Sequence, residues 1–258
     1  MTNPLLMKES ALFDYLLRLG DDRLVLGHRL SEWCGHAPIL EEDIALANIA
    51  LDCVGHASML LKLAGQVEGR RRTEDDLAYF REAIAFRNVK LVEQPNGDFA
   101  RTIARQFLFD AYSLPLYEEL ASSSHPVLAA ISAKILKEVR YHWRHSSEWV
   151  CRLGDGTQES HARMQSALDE LWTFTAELFE SDDIESLLHK AGVVPLGSSL
   201  KPRWDELLRR VLSTATLTVP TANQFMLGGS RQGRHSEHLG HILSEMQILA
   251  RSYPGASW

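Results

Sequence analysis

The sequence predicts an all-α protein, a ferritin-like four-helix bundle followed by additional C-terminal helices. Three observations predict it. Apolar residues recur at helical spacing along most of the 258 residues, sustained strand-like alternation is nearly absent, and breakers divide the chain into two helical hairpins joined by a long crossover.

The first helix is predicted over Ser10 to Trp33, ended by Gly35 and Pro38, which mark a tight reversal. A second runs from Ile39 to Gly65 and completes an antiparallel hairpin. A polar stretch, Glu68 to Asp76, opens the crossover, which has room for a helix of its own up to Glu93; Pro95-Asn96-Gly97 closes it as a turn. Asp98 is a good cap for a third helix reaching Leu120, because its carboxylate can accept from the first free amides. Ser122 to Pro126 turns the chain into a fourth helix, Val127 to Leu153, stopped by Gly154-Asp155-Gly156. Further helices are expected around 160–180, 182–191, 203–216 and 235–252. No linker demands a second domain, so residues 1–258 read as one domain, with the core bundle at about 10–153 and a C-terminal helical extension at about 157–258.

Composition narrows the function classes. With 45% hydrophobic and 24% charged residues, the chain can bury a sizeable core. A net charge of -7 and a pI near 5.9 disfavour nucleic acid as a partner, which calls for a basic face. No apolar run approaches the roughly 20 residues of a membrane span, and Met1 to Ser10 lacks a secretory signal's apolar core, so no membrane partner and a cytoplasmic location are expected. Cys34, Cys53 and Cys151 are widely separated and form no CxxC pattern; they read as reduced, largely buried thiols.

The most informative pattern is one acid on the apolar stripe of each bundle helix. The stripes are Tyr15, Leu19, Asp22, Leu26, Arg29 and Trp33; then Ala45, Ile49, Asp52, His56 and Met59; then Ile103, Phe107, Asp110, Leu114 and Tyr117. The fourth holds Ile131, Ile135, Glu138, His142, His145 and Trp149. Counting about 15 residues from the first turn places Asp22 opposite Asp52 at roughly 22 Å, and about 14 from the second places Asp110 opposite Glu138 at roughly 21 Å. Side-by-side hairpins would bring all four to one level.

Two readings follow. A carboxylate-bridged di-iron centre takes one Glu from each of two helices and Glu-x-x-His from each of the other two. Here His56 follows Asp52, and His142 follows Glu138, by four residues, and Gly55 and Tyr141 stand at the i+3 positions. That step rotates the side chain by about 100°, and three of the acids are the shorter Asp. The spacing therefore favours a metal-free polar core, with Arg18, Arg29 and Arg140 as cationic partners. Elsewhere, 227–234 (LGGSRQGR) precedes a helix and offers Arg231 and Arg234 for anion binding, against an ordinary flexible loop. Glu237, His238 and His241 read as a polar helix start rather than a metal site. Trp33, Trp143, Trp149, Trp172 and Trp204 read as packing anchors.

Several segments together carry a family resemblance: LRLGDDRLVLGHRLSEWCGHAP (17–38), EEDIALANIALD (41–52), LVEQPNGDFARTIARQF (91–107), AAISAKILKEVRYHWRHSSEWVCRLGDGT (129–157), LWTFTAELF (171–179) and HSEHLGHILSEMQ (235–247). Over nearly its full length the chain resembles the C subunits of bacterial multicomponent phenylacetyl-CoA epoxidases. The resemblance implies a ferritin-like fold and a structural, non-catalytic role beside a homologous A subunit that holds the di-iron centre and the acyl-CoA. It also implies a small B subunit and a reductase in the larger complex. No cofactor is then expected in this chain and no catalytic residue is carried over; Asp22, Asp52, His56, Asp110, Glu138 and His142 become a pseudo-active-site cluster. The competing classes are an oxidoreductase with its own di-iron centre and an iron store, and ligand register separates the first from the structural role.

Overall fold

The structure is a computed structural model and describes residues 4–221 and 228–256. Among these residues every regular element is helical, so the predicted all-α class holds. In chain order the α-helices are α1 (Pro4–Ser31), α2 (Leu40–Glu68), α3 (Glu74–Tyr79), α4 (Lys90–Glu93) and α5 (Phe99–Leu120). They continue with α6 (Pro126–Gly154), α7 (Gln158–Leu171), α8 (Asp183–Lys190), α9 (Gly197–Thr214) and α10 (Glu237–Ser252). The order of hairpin, crossover, hairpin and C-terminal helices is the predicted ferritin-like one. The chain groups into two compact units, Met1–Gln94 with Gly228–Trp258, and Pro95–Leu227. The first unit is discontinuous in sequence and is completed by the end of the chain.

In the first unit α1 and α2 pack closely because two glycines of α1 leave room for α2. A methyl at Gly20 would lie 2.7 Å from Leu61 Cδ2, and one at Gly27 would lie 3.1 Å from the Ala50 carbonyl oxygen and 3.2 Å from Cys53 Cβ. As α1 advances, the facing residue of α2 falls back, so the pair is antiparallel. This register corrects the heights counted from the turn. Asp22 stands nearer in height to His56 and Met59 than to Asp52, because the reversal is lopsided: Trp33, Cys34 and His36 continue as hydrogen-bonded turns beyond α1.

Another expectation fails on α2. Its composition and its 29 residues pass the length and hydropathy test for a membrane span, with a mean hydropathy of 1.6 over its most apolar stretch. Small and aliphatic residues all round the helix raise that mean, although Asp52 and His56 lie within it. Cys53 is buried and Cys151 half-buried, as expected of core thiols, whereas Cys34 is exposed at the reversal.

The crossover holds two short helices instead of one long helix. Thr73 and Asp76 close a reciprocal capping box that starts α3, with the Asp76 amide donating to Thr73 Oγ1 at 3.1 Å and the Thr73 amide donating to Asp76 at 2.7 Å. Beyond Tyr79 the backbone runs extended between short turns, held by side chains of α1.

In the second unit α5 and α6 form the other hairpin. Phe99 meets Trp149 edge-on at 5.0 Å between ring centres, and Phe107 stacks on Trp143 at 5.4 Å, so these helices also run antiparallel. Asp98 caps α5 as predicted, accepting from the Arg101 amide at 2.9 Å. Nearly every residue of α5 is buried, and Trp204 of α9, 1% exposed, donates through Nε1 to the Leu108 carbonyl at 3.0 Å.

Candidate functional site

The first unit is organised by two consecutive acids on α1. Neighbouring helical residues point about 100° apart, so Asp21 and Asp22, both buried, reach different segments. Asp21 receives both terminal nitrogens of Arg81, one of them at 3.0 Å, and the Arg87 amide at 2.8 Å. Asp22 receives the Val89 amide at 2.8 Å and a two-pronged ion pair from Arg231, Nη1 to Oδ1 at 3.0 Å and Nη2 to Oδ2 at 2.9 Å. The flat guanidinium fork matches a carboxylate edge to edge. Arg231 Nη1 also donates to the Arg87 carbonyl at 2.6 Å. Burial is the largest influence on Asp22 and pushes its carboxyl above the ordinary range, while Arg231 and the Val89 amide pull it back.

A third buried acid, Glu93, ties α4 to the start of α10. Its carboxylate accepts from Asn88 Nδ2 at 2.9 Å, the Ser236 amide at 2.8 Å and Ser236 Oγ at 2.5 Å, and meets His235 Nδ1 at 2.5 Å. His235 Nε2 lies 3.0 Å from the Phe86 carbonyl, while Arg29 donates to the Glu93 carbonyl at 2.9 and 3.1 Å. Sequence reading misses the roles of Glu93, Arg81 and His235. Glu93 lies in a four-residue helix without a measurable stripe, and its partners on the last segment are more than 140 residues away.

The residues singled out from sequence divide between the units. Asp22, Asp52, His56, Arg231 and Arg234 belong to the first, and Asp110, Glu138 and His142 to the second. Asp22 and Arg231 come together directly. Asp52 is half-buried and His56 fully buried on α2. In the second unit Asp110 is fully buried and accepts from Gln106 Nε2 at 2.7 Å and Ser146 Oγ at 2.9 Å. The aromatic pairs of α5 and α6 set it level with the turn of α6 carrying Glu138 and His142. His142 is fully buried, and Glu138 half-buried.

Of the proposed anion loop, Leu227 lies outside the described residues. Gly229 and Gly233 adopt positive φ of 100° and 87°, and a methyl at Gly233 would fall 2.2 Å from the Ile84 carbonyl oxygen, so the turn requires glycine there. That turn directs Arg231 onto Asp22, while Arg234 is exposed.

A ferritin-like fold raises the question of a di-iron site. Among the described residues no group of three or more His, Cys, Asp or Glu side chains is arranged to hold a metal ion. Both oxygens of Asp22 are taken by Arg231 and both of Asp110 by Gln106 and Ser146. These acids do not fit the role of open carboxylate ligands.

The same chain matches known proteins along nearly all of its length. The family model described as "Phenylacetic acid catabolic protein" matches residues 3–258. Among curated proteins, the C subunit of the 1,2-phenylacetyl-CoA epoxidase of Escherichia coli (strain K12) is 49% identical over 244 residues, covering 95% of this chain and 98% of the relative. Extent and identity together place it: the protein belongs to the phenylacetic acid catabolic protein family.

Proposed function

We propose that this chain is a non-catalytic structural subunit of a phenylacetyl-CoA epoxidase, stabilising a homologous di-iron catalytic A subunit during phenylacetate catabolism. The Escherichia coli relative is named as one subunit of such an epoxidase, and that name implies companions. The observation that carries the structural role is Asp22. It is an acid on the inner stripe of a ferritin-like helix, and its two oxygens are closed by Arg231. A carboxylate neutralised by a guanidinium supports the fold and has its charge compensated without a metal. Gly55 and Tyr141 at the histidine positions support the same reading. In this proposal the cofactors stay with the companions: iron with the A subunit, and electron carriers with a reductase. A small B subunit joins them in a cytoplasmic complex.

Reconstitution of epoxidation from catalytic subunit, small subunit and reductase tests the proposal. With this chain present, turnover is expected; without it, turnover falls by more than tenfold as the catalytic subunit loses stability. Glu138→Gln keeps the side chain's shape and should leave turnover within about twofold, as a change of roughly 0.4 kcal/mol in barrier implies. Full turnover without the chain would refute the structural role. So would two irons per chain after anaerobic loading with ferrous iron, lost on Asp52→Ala, which would establish the di-iron oxidoreductase instead.

A further inference from the structure

His235 stands just ahead of α10 with both ring nitrogens against oxygens. Nε2 lies 3.0 Å from the Phe86 carbonyl and Nδ1 2.5 Å from Glu93 Oε1, and the side chain is 5% exposed. A carbonyl oxygen only accepts, so Nε2 carries a hydrogen. A second hydrogen has to lie between Nδ1 and Glu93, and the surroundings of the carboxylate decide which of the two holds it. The Ser236 amide, a donor only, points to Oε2. Asn88 Nδ2 points to Oε1, and the orientation of that amide is set independently, because the same nitrogen donates to the Val89 carbonyl at 3.2 Å. Ser236 Oγ is a third donor, at 2.5 Å from Oε2. Ringed in this way the carboxylate is left to accept, and the hydrogen belongs to the ring.

We propose that His235 and Glu93 form a proton-held latch, a buried imidazolium on a carboxylate that fastens the start of α10 to α4 and opens when the second ring proton leaves. Neither tautomer of the neutral ring serves both oxygens. Hydrogen on Nε2 turns the Nδ1 lone pair onto the carboxylate, and hydrogen on Nδ1 turns the other lone pair onto the Phe86 carbonyl. Either way Glu93 keeps its buried charge and loses its cation. The neighbouring charges are otherwise engaged. Arg29 of α1 reaches Glu32 and the Glu93 backbone carbonyl, and Arg87 of the crossover reaches Asp14 and the Phe86 carbonyl. Arg81 is held by Asp21, and Arg231 by Asp22. Lys90 is buried on α4, and Arg234, Glu237 and His238 adjoin the ring on its own segment. Among the described residues none of these basic side chains bonds to the Glu93 carboxylate, whose donors are Asn88, His235 and Ser236. The latch is therefore closed while the ring is charged and opens as pH rises.

The test uses the full-length chain with isotope-labelled histidine. At about pH 7.5, where an ordinary exposed imidazole is mostly neutral, the ring signal that His235→Gln removes should show hydrogen on both nitrogens, and Glu93→Gln should leave one of them bare. Amide exchange, corrected for its intrinsic dependence on pH, reads the opening itself. From about pH 6 to about pH 9 the opening constant of α10 should rise about tenfold in the wild type and less than about twofold in His235→Gln, with α5 unchanged in both. Asp22 and Arg231 are present in both chains, so their own response to pH cancels in the comparison. A bare ring nitrogen in the wild type at about pH 7.5 overturns the imidazolium. An opening constant that does not rise with pH, or that rises equally in both chains, overturns the latch. Should circular dichroism show that His235→Gln does not fold, Glu93→Gln identifies the ring signal instead, and the wild-type rise in α10 against α5 decides.

Discussion

Asp22 is almost wholly withdrawn from water, its side chain 4% exposed, yet it faces a guanidinium that is itself only 13% exposed. Removing one member of such a pair costs more than the pair contributes, because the survivor keeps its desolvation penalty. Arg231→Met should therefore destabilise the chain by about 3–5 kcal/mol at neutral pH. The sign of the pH dependence follows from burial, which raises the folded carboxyl above its unfolded value. Between those values the folded state holds the extra proton, so this group's contribution to stability falls as pH rises through the window. Loss of the cation widens the window upward. The deficit of Arg231→Met is then greatest at neutral pH and shrinks as pH is lowered toward about 4, the ordinary carboxylate range. Urea unfolding across that span measures it; a deficit independent of pH refutes the account, and Asp22→Asn in the same background should recover most of the loss. Sequence makes the acid visible, since Asp22 interrupts an apolar stripe, but not its partner. Arg18, Arg29 and Arg140 are the candidates that the stripes suggest, and Arg18 instead pairs with Asp14 at 2.7 Å, one turn away.

Helices are legible in sequence where local chemistry sets their ends. The third helix begins at the Asp98 cap, and the fourth stops near Gly154 as predicted, where a methyl would lie 2.4 Å from the Ala215 carbonyl oxygen. What sequence misses depends on contacts distant along the chain. The crossover breaks into short helices because Asp21 and Asp22 hold its backbone amides, and the facing of Asp22 escapes a count of residues because turn length does not fix helix register. Two glycines of α2 separate these influences experimentally. Gly65 lies with a methyl's position only 2.1 Å from the Arg72 carbonyl oxygen, whereas Gly55 meets nothing within 4 Å. Gly65→Ala should cost about 3 kcal/mol, since the α2–α3 connection must shift. Gly55→Ala should instead gain about 0.5–1 kcal/mol from helix propensity. Thermal melts of the two variants in the isolated chain decide it, and equal effects would mean that the close approach at Gly65 is tolerated by relaxation.

At the scale of the whole chain, the last segment finishes what the first third begins. Arg231 closes on Asp22, His235 and Ser236 close on Glu93, and Gln247 donates through Nε2 to the carbonyls of Ala78 and Arg81 at 3.0 and 3.1 Å. Such closure is invisible to periodicity, because α10 looks in sequence like one more amphipathic helix after the bundle. It also makes the end of the chain a structural necessity for the first unit, since without it Asp22 and Glu93 lose their buried partners, and the Ala78 and Arg81 carbonyls lose the donor that satisfies them. Deleting residues 228–258 is therefore expected to lower the melting temperature by more than about 10 °C, taking roughly 2–4 °C per kcal/mol for a chain of this size and several kcal/mol for the lost buried partners. Deleting only residues 253–258 should shift it by less than about 2 °C, because Tyr253 to Ala256 are exposed and none of these four supplies Asp22, Glu93 or α3 with a bond. Hydrogen exchange locates the damage: protection should fall in α1, α3 and α4 and persist in α5. A chain cut at 228 that melts within a few degrees of the full one, with α1 amides still protected, would show that the first unit closes without its C-terminal segment.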